Sequence, residues 1–238
     1  MGALSTALFL LCFAMTKEHY VKDIDRTQKF SGIYKELNIL LKDQNWRCIF
    51  SLNIVNLIAG ILKTGGAMYF VNYYLHRPDL VSIVLSIILG AKFIGSMFTT
   101  PLYGKLDRLF AYKMAMTLQA SIMIALFFVP ADSVLLTCLI IAVIHFINST
   151  ATPLQWSLLS DIIDNVEKKT GKSLSGLVFS TNIFAIKIGI AIGGAIIGWL
   201  LTMGGYVGNA PVQTESATLV IRLIFTVIPA LLILSLIL

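Results

Sequence analysis

Residues 173–203 read SLSGLVFSTNIFAIKIGIAIGGAIIGWLLTM, an apolar run broken by one charged residue, Lys187. As a helix this stretch would extend roughly 46 Å at 1.5 Å per residue, more than the roughly 30 Å of a bilayer's hydrocarbon core. Small residues recur as Gly189-x-x-x-Gly193 and Gly194-x-x-x-Gly198. That spacing lets helix backbones approach closely in lipid, so packing is its first reading. The stretch reads as a membrane span, and the rest of the chain agrees.

Of the 238 residues 57% are hydrophobic and 13% charged, and the mean hydropathy is +0.86. Soluble domains run at roughly 45–50% apolar and about 25% charged. A soluble globular domain, a disordered chain and a secreted disulfide scaffold are therefore excluded. The expected fold class is all-α, a polytopic membrane helix bundle. Its spans are expected at residues 48–75, 80–103, 114–129, 134–160, 173–203 and 217–238. Residues 1–16 are apolar but short of a crossing and have no basic leader, which suggests the end of a helix cut by the start of the chain. Residues 217–238 stop without a polar tail, so the chain reads as a fragment. Cys12, Cys48 and Cys138 are widely spaced in apolar stretches and read as packed thiols, with no disulfide framework and no metal-ligand spacing.

The loops carry a clear asymmetry. Residues 17–47 hold seven Lys/Arg, the link after Tyr103 holds Lys105, Arg108 and Lys113, and the link after Asp161 holds Lys168, Lys169 and Lys172. The alternate links, 76–79, 130–133 and 204–216, contribute only Arg77. By the positive-inside rule the basic links are cytoplasmic. The net charge of +6 is thus a topology signal, and nucleic acid is not an expected partner. Within residues 17–47, Phe30, Ile33, Tyr34, Leu37, Leu40 and Leu41 share one face at helical spacing. This fits a helix lying on the membrane surface or a cytosolic helix packed on the loops.

Four ionisable residues fall at membrane depth: Lys63, Lys92, His145 and Lys187. Such residues mark functional sites by default, because each costs at least about 2.5 kcal/mol to insert. No Asp or Glu occupies a comparable depth. Lys63 lies toward the outer half, where snorkelling competes with function; Lys92 and Lys187 are deeper and favour a lined cavity. Polar stripes accompany them: Asn53, Asn56, Gly60, Lys63 and Thr64 on one segment, and His145, Asn148, Ser149, Thr152 and Trp156 on another. Such stripes also serve as helix–helix glue. Pro153 frees the carbonyl of Ser149 and invites a kink beside the second stripe. No HExxH, GxSxG, phosphate loop or Ser–His–Asp set is present, so no catalytic residue is assigned and an enzyme is not expected. Asp161, Asp164 and Glu167 sit among lysines at a cytoplasmic end, where an ion-pair network suits them better than a metal or acid–base pair.

The run Gln155-Trp156-Ser157-Leu158-Leu159-Ser160-Asp161-Ile162-Ile163-Asp164 precedes Glu167 and Lys169-Thr170-Gly171-Lys172. Next come Gly176-Leu177-Val178-Phe179-Ser180, Lys187-Ile188-Gly189, Gly193-Gly194-Ala195, Gly198-Trp199-Leu200 and Gly204-Gly205-Tyr206. This order closely resembles the glycoside–pentoside–hexuronide:cation symporters, relatives of the melibiose carrier in the major facilitator superfamily. Thr16-Lys17-Glu18 and the stretch from Gly65 to Tyr74 agree with it.

The resemblance covers essentially the whole chain and implies the C-terminal six-helix half of a major facilitator fold, its first helix clipped. Residues 1–16 would end helix six, residues 17–47 would form the cytoplasmic central loop, and the six spans would be helices seven to twelve. It implies a multi-pass protein of the cell's inner membrane, in contact with lipid and with an N-terminal six-helix half. The expected function is secondary symport of a glycoside, pentoside or hexuronide coupled to Na⁺ or H⁺, the ion held mainly by that other half, with no further cofactor. The family's cavity lysine falls on Lys187, and neighbouring cavity positions fall on Asn182, Ile183 and Ile186. Gln155, Trp156 and Lys63 join the expected solute site. Thr152 stands where the melibiose carrier has a cavity aromatic. Asp161 and Asp164 match a cytoplasmic charge network that includes Glu167. Its usual Arg falls on Ser173, leaving Lys172, Lys168, Lys105 or Arg108 as substitutes. A lipid or lysolipid carrier of related fold, and a transport-inactive fragment, are the alternatives.

Overall fold

A computed structural model describes residues 2–16, 30–171, 174–208, 210 and 212–235. The chain forms two compact units, Met1–Asn38 and Ile39–Leu238. In the first, α1 (Gly2–Met15) is apolar apart from Ser5 and Thr6, and Phe9 and Phe13 stand 78% and 83% exposed. The helix α2 (Phe30–Lys42) occupies the stretch whose apolar residues repeat at helical spacing.

The second unit is a bundle with six helical segments long and apolar enough to cross a membrane: Gln44–Tyr74, Pro78–Met97, Arg108–Phe127, Val134–Thr170, Ser175–Met203 and Glu215–Leu234. No strand occurs among the described residues. Proline sets where two of the segments break. The second ends with α4 (Val81–Met97), and the short α5 (Thr99–Tyr103) follows only after a break at Phe98, because Pro101 lacks an N–H and its ring crowds the carbonyl four residues back, at Met97. The sixth divides into α9 (Glu215–Phe225) and α10 (Val227–Leu234) beside Pro229, which crowds Phe225 in the same way. By contrast, α7 (Val134–Thr170) runs unbroken through Pro153. It continues ten residues past the expected end of its span and stops where Gly171 adopts φ 66°, a left-handed cap that glycine accepts without strain. Its 37 residues span roughly 55 Å, so its last turns project beyond the hydrocarbon. Asp161, Asp164 and Glu167 lie on that projecting helix rather than in a loop.

The first span opens as α3 (Gln44–Tyr69) and widens into a π-helical turn at Phe70–Tyr74. Asp43 caps it: Oδ1 accepts from the Trp46 amide at 3.0 Å and Oδ2 accepts from Lys169 Nζ at 2.9 Å. Burial alone would raise the Asp43 pKa, but the Lys169 ammonium and the amides hold it below 3.8. The stabilisation this gives is present above that pH and is lost as pH falls through the lowered folded value. Leu40, Trp46, Ile49, Val166, Leu174 and Val178 form a second small core at this end. Tyr34 and Leu41 of α2 stay 75% and 50% exposed.

Two seams hold the bundle. The α3–α8 seam, where α8 is Ser175–Met203, depends on Gly189 and Gly193. A Cβ on Gly189 would lie 2.6 Å from Leu57 Cβ and 2.8 Å from the Ile54 carbonyl oxygen, and one on Gly193 would lie 2.9 Å from Ile61 Cβ. The α4–α7 seam depends on Gly95, where a Cβ would lie 2.6 Å from the Phe146 carbonyl oxygen. Gly194 and Gly198 meet nothing within 4 Å. Of the two glycine repeats, one is therefore a packing surface and the other is open.

Contacts at the two ends fix which loops share a side. Asp43–Lys169, Arg108–Asp161 at 2.6 Å and Trp46 Nε1 donating to Thr181 Oγ1 at 3.3 Å gather one end. Tyr74 donating to the Val129 carbonyl at 2.6 Å and the Tyr73–Tyr206 hydroxyl pair at 3.1 Å gather the other. At that second end the Arg222 guanidinium sits between the Tyr74 and Phe127 rings, 4.6 and 4.4 Å from their centroids, and donates to the Phe127 carbonyl. Arg108 and Lys169, from two of the basic stretches, lie at the first end, so single cysteines replacing Lys105 and Val212, in a background without the native three, are expected to label from opposite sides of the membrane. Labelling from one side would refute this topology.

Candidate functional site

Between α3, α4, α7 and α8 lies a cleft of about 380 Å³. Its polar wall follows from the 3.6-residue period, which brings Asn53, Asn56, Gly60 and Thr64 of α3 onto one face. Asn148, Thr152, Gln155 and Trp156 face it from α7, Asn182 and Ile186 from α8, and Lys92 from α4. The amides form a ladder across three helices. Asn56 Nδ2 donates to Gln155 Oε1 at 2.8 Å, Gln155 Nε2 donates to Asn53 Oδ1, and Asn53 Nδ2 donates to Asn182 Oδ1. Asn53 and Asn182 are 4% and 5% exposed. Polar groups withdrawn this far from water cost free energy unless bonded, so the ladder ties α3, α7 and α8 into one register. An amide offers both a donor and an acceptor edge, which suits a solute carrying many hydroxyls.

Of the expected solute-site residues, Asn182, Ile186, Thr152, Gln155 and Trp156 line this cleft. Ile183 and Lys187 do not; they lie one helical step around α8, on its exposed face. Lys63 does not snorkel. It is 2% exposed, and its Nζ has no hydrogen-bond partner among the described residues. At the end that carries Asp43 and Lys169 the structure pairs Asp161 with Arg108, an exposed pair joining α7 to the first turn of α6 (Arg108–Phe127). Asp164 is exposed and Glu167 half-buried on the same helix. Lys172 and Ser173 lie outside the described residues.

One group, and the role of another, escaped the sequence reading. Gln119 of α6, fully buried, accepts from Asn148 Nδ2 at 3.4 Å and so supports a cleft residue from behind; one amide in an apolar helix gives no periodic signal. The hub role of Gln155 was equally hidden, since only the packed helices reveal its partners.

The family described as MFS/sugar transport protein matches residues 1–238. The chain is 33% identical over 232 residues to the "Putative glycoside/cation symporter YagG" of Escherichia coli (strain K12), covering 98% of this chain and 50% of that protein. It is 31% identical over 232 residues to the "Inner membrane symporter YicJ" of the same organism, covering 96% and 50%. With the "Uncharacterized symporter YnaJ" of Bacillus subtilis (strain 168) it shares 30% identity over 252 residues, covering 100% and 51%. The chain thus spans about half the length of these relatives, which are named as transporters and not as enzymes. The matching family, the six apolar spans and the polar cleft agree: this is a multi-pass inner-membrane chain of the major facilitator superfamily, and it belongs to the glycoside–pentoside–hexuronide:cation symporter family.

Proposed function

We propose that this chain forms the C-terminal half of a secondary transporter that moves a glycoside, pentoside or hexuronide together with Na⁺ or H⁺. The observation that carries the reading is the mid-membrane cleft with its ladder of Asn53, Asn56, Gln155 and Asn182. A carrier for lipid tails would want an apolar wall, and this wall is amide-rich. An N-terminal six-helix half would close the cleft and hold most of the coupling-ion site. On this reading Gln155→Leu, in the assembled carrier, raises the solute Kd by about tenfold or more, since a charge-free hydrogen bond and its neighbour's satisfaction are lost together. Unchanged solute binding by this variant would refute the site. Uptake driven separately by a Na⁺ gradient and by a pH gradient identifies the coupling ion, and uptake indifferent to both would refute symport.

The charged residues at the cytoplasmic end suit a gate. Exposed pairs such as Arg108–Asp161 contribute about 0–1 kcal/mol, too little to hold a fold yet enough to shift a two-state population about fivefold. Asp164→Asn is therefore expected to change the balance between inward- and outward-facing forms. Solute affinity measured with access locked to one side should change little. Loss of binding in both locked forms would make these carboxylates ligands instead.

A further inference from the structure

Gln119 is fully buried in α6, where its amide must find partners within the protein. It finds two. Its Nε2 donates to Met123 Sδ, one turn along the same helix, at 3.7 Å, and its Oε1 accepts from Asn148 Nδ2 of α7 at 3.4 Å. Met123 is itself 1% exposed. The direction of these two bonds is imposed by the residues themselves. A thioether sulfur carries no hydrogen and can only accept. Were the Gln119 amide turned over, its carbonyl oxygen would face the sulfur, acceptor against acceptor, and would stay buried without a donor. The sulfur therefore points the Gln119 oxygen at α7, and that oxygen holds the NH2 group of Asn148.

Asn148 lines the cleft. With its Nδ2 turned back toward α6, its Oδ1 makes no hydrogen bond among the described residues and is the edge left for the cleft. An amide oxygen accepts and cannot donate. The ladder differs in this respect. Asn56, Gln155, Asn53 and Asn182 bond amide to amide, and each side chain has both a donor and an acceptor edge, so a ladder of amides can run in either direction. At Asn148, packing behind the wall fixes which edge a solute meets.

We propose that Gln119 is a positioning residue for solute recognition: backed by Met123, it presents the Asn148 oxygen to the cleft, so that Asn148 selects a solute hydroxyl that donates. The role rests on the transporter reading above and adds to it the sense of one hydrogen bond. Neither Gln119 nor Met123 lines the cleft; both act through Asn148.

The test uses the full-length carrier in proteoliposomes. Labelled methyl β-D-glucoside, methyl β-D-xyloside and D-glucuronate are offered in counterflow, and the one moved fastest supplies a series of monodeoxyfluoro derivatives as competitors. Fluorine is close to a hydroxyl in size but cannot donate. At one ring position the wild type is expected to bind the parent about three- to tenfold more tightly than the fluoro derivative, and Asn148→Ala to erase that ratio. Gln119→Met removes the acceptor behind Asn148 at nearly constant volume, and Met123→Leu removes the sulfur. Gln119→Met is expected to bring the ratio at that position to about one. Met123→Leu is expected to lower it about twofold or more, because the two directions of the buried amide become equal. In both carriers the ratios at the other positions stay as in the wild type. A residue that only filled space would weaken parent and derivative alike and leave every ratio unchanged. Met123→Leu is the gentler replacement, and it decides the matter if Gln119→Met does not fold. A wild-type ratio in either folded variant overturns the proposal. So does a wild type that moves sugar yet shows no ratio that Asn148→Ala erases; in both cases the proposed function stands. A wild type that moves none of the three sugars overturns both.

Discussion

Vesicles holding residues 1–238 alone are expected to accumulate no labelled glycoside, and co-expression with a matching N-terminal six-helix half is expected to restore uptake. The chain spans half the length of the symporters it resembles, and under the proposed function the face that would meet the other half is sought on α8. Lys187 stands exposed there, beside Ile183 at 51% exposure, and Gly194 and Gly198 have open space where a side chain would go. An ammonium at Lys187 lies roughly 18 Å from the helix start at Ser175. Left in lipid it would cost at least about 2.5 kcal/mol, which a carboxylate of the other half or the solute itself would offset. In the assembled carrier, Lys187→Ala should therefore weaken solute or cation binding about tenfold or more. Lys187→Arg keeps the charge but misplaces it, so it should rescue only in part. Full activity of Lys187→Ala in binding and counterflow would make this lysine a bystander.

Gly189→Leu is expected to abolish correctly folded protein, read as loss of the monodisperse peak in detergent, whereas Gly194→Ala should be neutral or stabilising. At Gly189 the first added carbon already falls 2.6 Å from Leu57 Cβ and 2.8 Å from a backbone oxygen that cannot rotate away. Overpacking of this kind costs about 1–3 kcal/mol, and leucine adds three further carbons to the same seam. Replacing glycine in a helix gains at most about 1 kcal/mol of propensity, so the clash wins at Gly189. At Gly194 nothing lies within 4 Å, so the propensity gain stands unopposed within this half. Gly189 is also two turns along α8 from Asn182, so parting the α3–α8 seam would pull apart the Asn53–Asn182 bond that anchors the cleft. Equal tolerance of the two substitutions would show that the seam does not set the helix spacing.

The membrane class and the six spans were legible in order and composition alone, and the same order predicts the side on which the basic loops lie. Hydropathy over about 20 residues and the Lys/Arg count of short loops are local quantities, and a bilayer reads them locally. The polar stripes were legible too, because Asn53, Asn56, Gly60 and Thr64 follow the helical period wherever the helix is placed. Rotation and partnership were not. A 3.6-residue period tells which residues share a face, but not what the face meets. Packing turned Asn182 and Ile186 into the cleft and left Ile183 and Lys187, one step around, on the surface. It likewise made Gly189 a contact and Gly194 open space, although the two repeats that hold them have the same spacing in sequence. For Lys63 the length of its side chain allowed an escape to the outer surface; the close approach of neighbouring helices closed that route and buried its Nζ with no hydrogen-bond partner among the described residues. Helix boundaries shifted for the same reason. A hydropathy window ends where charge begins, at Asp161, but hydrogen bonding carries α7 on to Gly171, where a backbone able to take positive φ stops it.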